Sequence, residues 1–132
     1  MTPTITLTTA VSGQPVLERL SRFLACGAPA VSGDPPEKLV RDLAGRFRME
    51  KADHLSWALR LRDGTERKGD GGEPGSGNCI LETMRGRNAL DCLILVARWY
   101  GGKRLGGLRF RIYRKAAGEL LTSFGVESRE HG

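Results

Sequence analysis

The stretch Leu90-Asp91-Cys92-Leu93-Ile94-Leu95-Val96-Ala97-Arg98-Trp99 constrains this chain more than any other. It is nearly continuously apolar and short, the pattern of a central β-strand covered on both faces. Such a strand needs paired neighbours and covering layers, and the flanking sequence supplies both. Ser32-Gly33-Asp34-Pro35-Pro36-Glu37 reads as a helix opening, with Asp34 as N-cap, Pro35 in the first turn and Glu37 three residues beyond the cap. Leu39, Val40, Leu43 and Phe47 then recur at helical spacing, predicting a helix over Pro35–Arg48. A second helix is predicted from about Leu108 to Phe124, with Leu105, Leu108, Ile112, Ala116 and Leu120 as its apolar stripe. Ile80, Leu81 and Met84 suggest a short helix ending near Gly86.

Two further segments alternate as strands do: Thr4–Thr9, through Ile5 and Leu7, and His54–Arg62, through Leu55, Trp57, Leu59 and Leu61. Val16–Ala25 is ambiguous, since Leu17, Leu20, Phe23 and Leu24 suit a helix as well as a bulged strand. The class is α+β. At 132 residues the chain is expected to form one domain, with its core over about 3–124 and a mobile tail at 125–132.

Hydrophobic residues at 39% and charged residues at 27% exclude a wholly disordered chain, and 18 glycines promise long turns. No apolar run approaches the roughly 20 residues of a membrane span. The start, MTPTITLTTAVSG, lacks the order of a secretory signal. The three cysteines, Cys26, Cys79 and Cys92, contain no C-x-x-C pair, which fits a reducing cytoplasm better than a disulfide framework or zinc knuckle.

Charge is more informative. Seven of the 21 basic residues (Arg98, Lys103, Arg104, Arg109, Arg111, Arg114, Lys115) and none of the 15 acidic ones lie between Arg98 and Lys115. The rest of the chain is therefore net −1, and the whole excess of +6 sits in one segment. On a helix, Arg104, Arg111 and Lys115 would project from one side with Arg114 adjacent, away from the apolar stripe. Such a cluster favours an anionic or acidic partner. An ordinary solvated helix face is the simpler reading, but that usually intersperses acids.

Gly101-Gly102-Lys103-Arg104-Leu105-Gly106-Gly107 stands between the strand and the last helix, an arrangement that offers backbone N–H groups to an anion. It is no Walker loop, because Gly107 and Leu108 occupy the places of Lys and Ser/Thr. A tight turn requiring positive φ explains the glycines equally well. Tyr100 and Trp99 could stack on bases, although alternation turns one of them into the core. His54, Asp70 and Glu73 could serve as the acid–base groups of a phosphate-handling enzyme beside the turn, and a hydrogen-bonded histidine with capping carboxylates is the simpler account. His131 falls at the extreme end, and no serine elbow or cysteine–histidine motif is present. No catalytic residue, metal site or cofactor is expected. Cys79 could be reactive at a helix start; an inert thiol is expected.

Gly69-Asp70-Gly71-Gly72-Glu73-Pro74, then Leu93-Ile94-Leu95-Val96-Ala97-Arg98-Trp99-Tyr100-Gly101-Gly102 and Leu105-Gly106, resemble the Impact family. His54-x-x-Trp57-Ala58 and Ser21-Arg22-Phe23 are similar to its upstream motifs, so the resemblance spans about Ser21 to Leu121. The short loop between Glu73 and Ile80, and Leu105-Gly106-Gly107-Leu108-Arg109-Phe110, are nearer the eukaryotic branch. One departure is Gly71, where the family usually has a second aspartate.

The resemblance implies an α+β fold, a two-layer sandwich of a mixed four-stranded sheet with two to three helices and a left-handed βαβ unit. It would be like the second domain of a small-subunit ribosomal protein and domain IV of the translocase elongation factor. It also implies a regulatory role in translation instead of catalysis, through RNA, the ribosome or a protein such as the activator of an initiation-factor kinase. Contacts made elsewhere in the family by a ferredoxin-like or a ubiquitin-conjugating-enzyme-like module are not expected of this chain. The expected binding residues are Arg98, Tyr100, Gly101, Gly102, Lys103, Arg104, Gly106, Arg109, Arg111, Arg114 and Lys115, with His54, Trp57, Asp70, Gly72 and Glu73 as the motif loop and strand.

Overall fold

The computed structural model describes residues 3–128. In chain order it forms β1 (Thr4–Thr6), β2 (Val11–Ser12), β3 (Val16–Glu18), β4 (Ser21–Pro29), α1 (Pro36–Arg46), β5 (His54–Arg60), β6 (Glu66–Gly69), α2 (Ser76–Gly86), β7 (Cys92–Trp99), α3 (Leu108–Phe124) and β8 (Val126–Ser128). β7 is the middle of the main sheet, whose order is β2-β4-β7-β5-β6 with β3 also on β4. Cys92 to Ala97 are completely buried. Their side chains alternate between two cores. Cys92, Ile94 and Val96 pack with Phe23 and Ala58 under α2 and α3. Leu93, Leu95 and Ala97 pack with Cys26, Trp57 and Leu59 under α1.

The class is α+β as expected, but three details differ. Every strand pairing in the main sheet is antiparallel, so the sheet is not mixed. It has six strands instead of four. Helices cover both faces, making three layers instead of two. The last point follows from β7 itself, which is apolar on both sides and leaves neither face fit for water.

β4 and β5 flank β7 and are both antiparallel to it, so they run the same way, and α1 carries the chain between them over one face. β6 and β7 likewise flank β5, and α2 joins them over the other face. These two split βαβ crossovers are reversed in strand direction and in sense along the sheet, yet lie on opposite faces. They therefore have opposite hands, and one is left-handed, against the usual right-handed rule.

Val16–Ala25 resolves into the β3–β4 hairpin, closed by Arg19 (φ 44°) and Leu20 (φ 70°). Both central residues at positive φ give a tight two-residue turn of primed type. α1 starts one residue later than expected, with Pro35 at the N-cap position and no side-chain cap from Asp34. The N-terminal strand is shorter than Thr4–Thr9, because after Thr6 the chain turns Leu7 into the core. β1 pairs with β8 in a separate two-stranded ribbon. Ordered structure thus continues past residue 124, into part of the segment expected to be a mobile tail. Positions 129–132, including His131, lie outside the described residues.

Candidate binding site

β7 delivers Arg98 to the face under α3, in phase with Ile94 and Val96, and the side chain is only 4% exposed. A buried guanidinium must be paired and hydrogen-bonded. Its Nη1 donates to Glu73 Oε2, and Nη2 donates to Ser21 Oγ at 3.3 Å. The Phe23 ring lies 5.3 Å from its carbon Cζ and the Tyr100 ring 5.6 Å. Nε has no acceptor among the described residues. Ser21 and Phe23 of the Ser-Arg-Phe motif thus wall in this arginine.

Glu73 accepts hydrogen bonds from Arg98 and Tyr113 and forms a longer ion pair with Arg109. Tyr113, completely buried on α3, donates its hydroxyl to Oε1, and Arg109 Nε stands 3.4 Å from Oε2. Burial first, and the neighbouring carboxylate second, push the Tyr113 phenol well above its ordinary value, so it stays a donor. Tyr113 also packs edge-on against Phe23, with centroids 5.4 Å apart.

The loop before α2 aims Glu73 inward. Gly71 (φ 58°) and Gly72 (φ 86°) take left-handed conformations. Gly71 lies flush on β5, where a Cβ would stand 2.2 Å from the Leu55 carbonyl oxygen. An aspartate at this position, which the family resemblance implies, could not occupy this loop conformation. Asp70 accepts the Gly77 amide at 2.9 Å and so serves the start of α2. Ser56 donates to the Asp70 carbonyl at 3.0 Å, and Ser76 Oγ lies 2.7 Å from both Ser56 Oγ and the Glu73 carbonyl.

Across from this loop, Gly101 packs on the β3–β4 hairpin, where a Cβ would fall 2.0 Å from the Leu20 carbonyl oxygen. The amides of Leu108, Arg109 and Phe110 donate to the carbonyls of Leu105, Gly106 and Gly107 at 3.2, 3.4 and 3.2 Å. The helix-start cradle expected from the sequence is therefore closed at those three amides. Between turn and loop lies a cleft of about 570 Å³, lined among others by His54, Glu73, Arg98, Tyr100, Arg104 and Arg109. Three arginines against one carboxylate leave an excess of two positive charges.

The structure redistributes the expected cations. Arg98 is internal rather than a surface contact, and Arg109 leans on the same carboxylate. Arg104 lies in the turn, before α3, which breaks the expected row Arg104–Arg111–Lys115. Arg114 reaches Glu82 at 3.3 Å and Lys115 reaches Glu119 at 4.0 Å, both exposed pairs of little energetic weight. Lys103, Arg104 and Arg111 are exposed, with no carboxylate partner among the described residues. Gly102 and Gly106 supply positive φ in the turn.

Trp57 belongs to the core under α1, away from the cleft. His54 Nδ1 lies 3.1 Å from the Gly71 carbonyl, in hydrogen-bond contact, and Gly72 packs beneath the ring. His54 and Glu73 share the cleft while Asp70 is committed to α2, so the acid–base trio does not assemble. Among the described residues no three His, Cys, Asp or Glu side chains group as a metal site requires. Among the described residues no helix is long and apolar enough to cross a membrane. Sequence reading missed Tyr113, Ser21, Ser56 and Ser76 as polar partners. Only strand parity, which places Arg98 with Ile94 and Val96, signalled a buried cation needing them.

Comparison with known proteins agrees with this architecture. The Impact N-terminal domain matches residues 19–121. The Protein IMPACT homolog of Saccharomyces cerevisiae is 28% identical over 122 residues, covering 89% of this chain and 47% of that protein. Protein IMPACT of Rattus norvegicus is 31% identical over 115 residues, covering 83% and 36%. This chain thus spans less than half the length of these relatives. The solved two-domain translational regulator Yih1 superposes with TM-score 0.58 at 26% identity, over 96% of this chain and 51% of that one. A hypothetical protein with TM-score 0.74 at 20% identity, over 98% and 65%, shares the fold. With most of its length inside that family match, the chain belongs to the Impact N-terminal domain family.

Proposed function

We propose that this chain is a non-enzymatic binding module in the regulation of translation, docking a translation-regulatory protein through the face formed by the glycine turn and the β3–β4 hairpin. One observation carries this reading: Gly101 seats the turn against Leu20, so exposed Leu20 and Tyr100 adjoin a turn whose Lys103 and Arg104 have no carboxylate partner among the described residues. Leu17, on the same hairpin, is also exposed. Aromatic and arginine side chains around apolar anchors are the composition of protein-interface hot spots, and the cations favour an acidic partner. A relative that is a translational regulator supports the same reading. The family resemblance makes the activator of an initiation-factor kinase the first partner to test, in the cytoplasm.

The test is binding of that purified activator after nuclease treatment. Leu20→Ser with Tyr100→Ala, and separately Lys103→Glu with Arg104→Glu, should each weaken the complex at least ten-fold, whereas Arg41→Glu on α1 should not. Survival of the complex in both double variants overturns the docking face, and loss on nuclease treatment transfers the role to RNA.

A further inference from the structure

We infer that the cleft between the glycine turn and the 69–77 loop binds a phosphoryl dianion, free or as a phosphate monoester. The inference stands apart from the identity of the protein partner. Its basis is a surplus of fixed donors. The one carboxylate lining the cleft already receives Arg98, Arg109 and Tyr113. Arg104 has no partner among the described residues, Arg109 meets Glu73, the Gly106 carbonyl and the Phe110 ring, and Arg98, which also lines the cleft, keeps Nη hydrogens beyond its bonds to Glu73 and Ser21. Guanidinium groups donate and never accept, so the complementary ligand is an acceptor.

Charge narrows the class. The lining arginines exceed Glu73 by two charges. A phosphate monoester carries about −1.5 to −2 at pH 7 and presents three acceptor oxygens, matching both the charge and the number of arginines. A carboxylate or an internal phosphodiester brings one negative charge. At about 570 Å³ the cleft has the size of a small-molecule site and holds more than bare phosphate. Two of the arginines are pre-positioned: Glu73 and Ser21 hold Arg98, and the Phe110 ring lies 4.2 Å from Arg109 Cζ. Arg104, exposed on a glycine turn, supplies the closing contact. Guanidinium planes are suited to two-point contact with phosphoryl oxygens.

The experiment is calorimetric titration of the full chain with inorganic phosphate, O-phosphoserine, adenosine 5′-monophosphate and dimethyl phosphate. Inorganic phosphate and at least one ester should bind one to one and compete, at least ten-fold tighter than dimethyl phosphate. Affinity should fall as pH drops below about 6, where the dianion is protonated. Arg104→Ala and Arg109→Ala should each weaken binding at least ten-fold, while Arg41→Ala leaves it unchanged. Arg98→Ala disrupts the core as well as the cleft, so exposed Arg104 carries the test. An ester that outbinds inorganic phosphate names the source, protein-borne for O-phosphoserine and nucleotide-borne for the monophosphate; equal affinities assign free phosphate. No binding at millimolar concentration, equal binding of dimethyl phosphate, or an unaffected Arg104→Ala overturns the inference.

Discussion

Replacing Glu73 by glutamine would expose how much of the fold rests on its ion pair. The carboxylate is 8% exposed and the Arg98 guanidinium 4%, so neither partner can fall back on water. Removing one member of a buried pair leaves an uncompensated charge and costs about 3–5 kcal/mol. The glutamine oxygen can still accept from Arg98, which favours the lower end, about 3 kcal/mol. For a chain of this size that is a fall of roughly 10 °C in Tm. Tyr113→Phe deletes one donor to the same carboxylate and should cost about 1–2 kcal/mol. The double variant should cost less than the sum, because both changes disturb one hydrogen-bonded unit. Urea denaturation with matched m-values measures all three. A Glu73→Gln loss below about 1 kcal/mol, the range of exposed pairs, would refute a buried and desolvated pair.

Other outcomes follow from single sites. Gly71→Asp, which supplies the family's second aspartate, should destabilise by about 1–3 kcal/mol or more, since it combines positive φ with a clash at Leu55; unchanged denaturation would show that the loop conformation is wrong. Native protein should resist thiol labelling at all three cysteines. Burial pushes Cys26 and Cys92 up to about 12 and raises Cys79, and all three thiols should react after unfolding. Rapid labelling before unfolding would contradict this. Glu66 is held from 4.5 down to about 2, first by its hydrogen bond to Arg85 and then by Arg60. A depressed carboxyl contributes stability above its unfolded value that is lost as pH falls towards 2. Acid denaturation of Glu66→Gln should therefore be flatter between about pH 4.5 and 2, and an unchanged profile would count against this ion-pair cluster. Leu95→Ala, a truncation in the middle of β7, should cost about 2–5 kcal/mol by equilibrium unfolding, and near-wild-type stability would displace β7 from the centre.

The elements with strong periodicity were legible from the chain alone: the apolar run of β7, the stripes of α1 and α3, and the alternation of β5. The β3–β4 hairpin was not, because Arg19 and Leu20 hold positive φ without the glycine or asparagine that normally marks such a turn. β6, Glu-Arg-Lys-Gly at a sheet edge, carries no apolar alternation and owes its existence to pairing with β5. The basic segment was legible as composition, but its partition was not. Arg98 and Arg114 meet carboxylates at Glu73 and Glu82, 25 and 32 positions away, and only the folded chain brings these together. The glycine turn was correctly located beside the cations, while its first three helical amides proved to be engaged within the turn itself.

The most direct measurement is the affinity of the purified, nuclease-treated activator of the initiation-factor kinase for this chain, compared with that of the Lys103→Glu/Arg104→Glu variant. The account predicts at least a ten-fold loss in the variant, with its fold unchanged by circular dichroism. An affinity equal to that of the parent chain would contradict a docking role for the cationic turn.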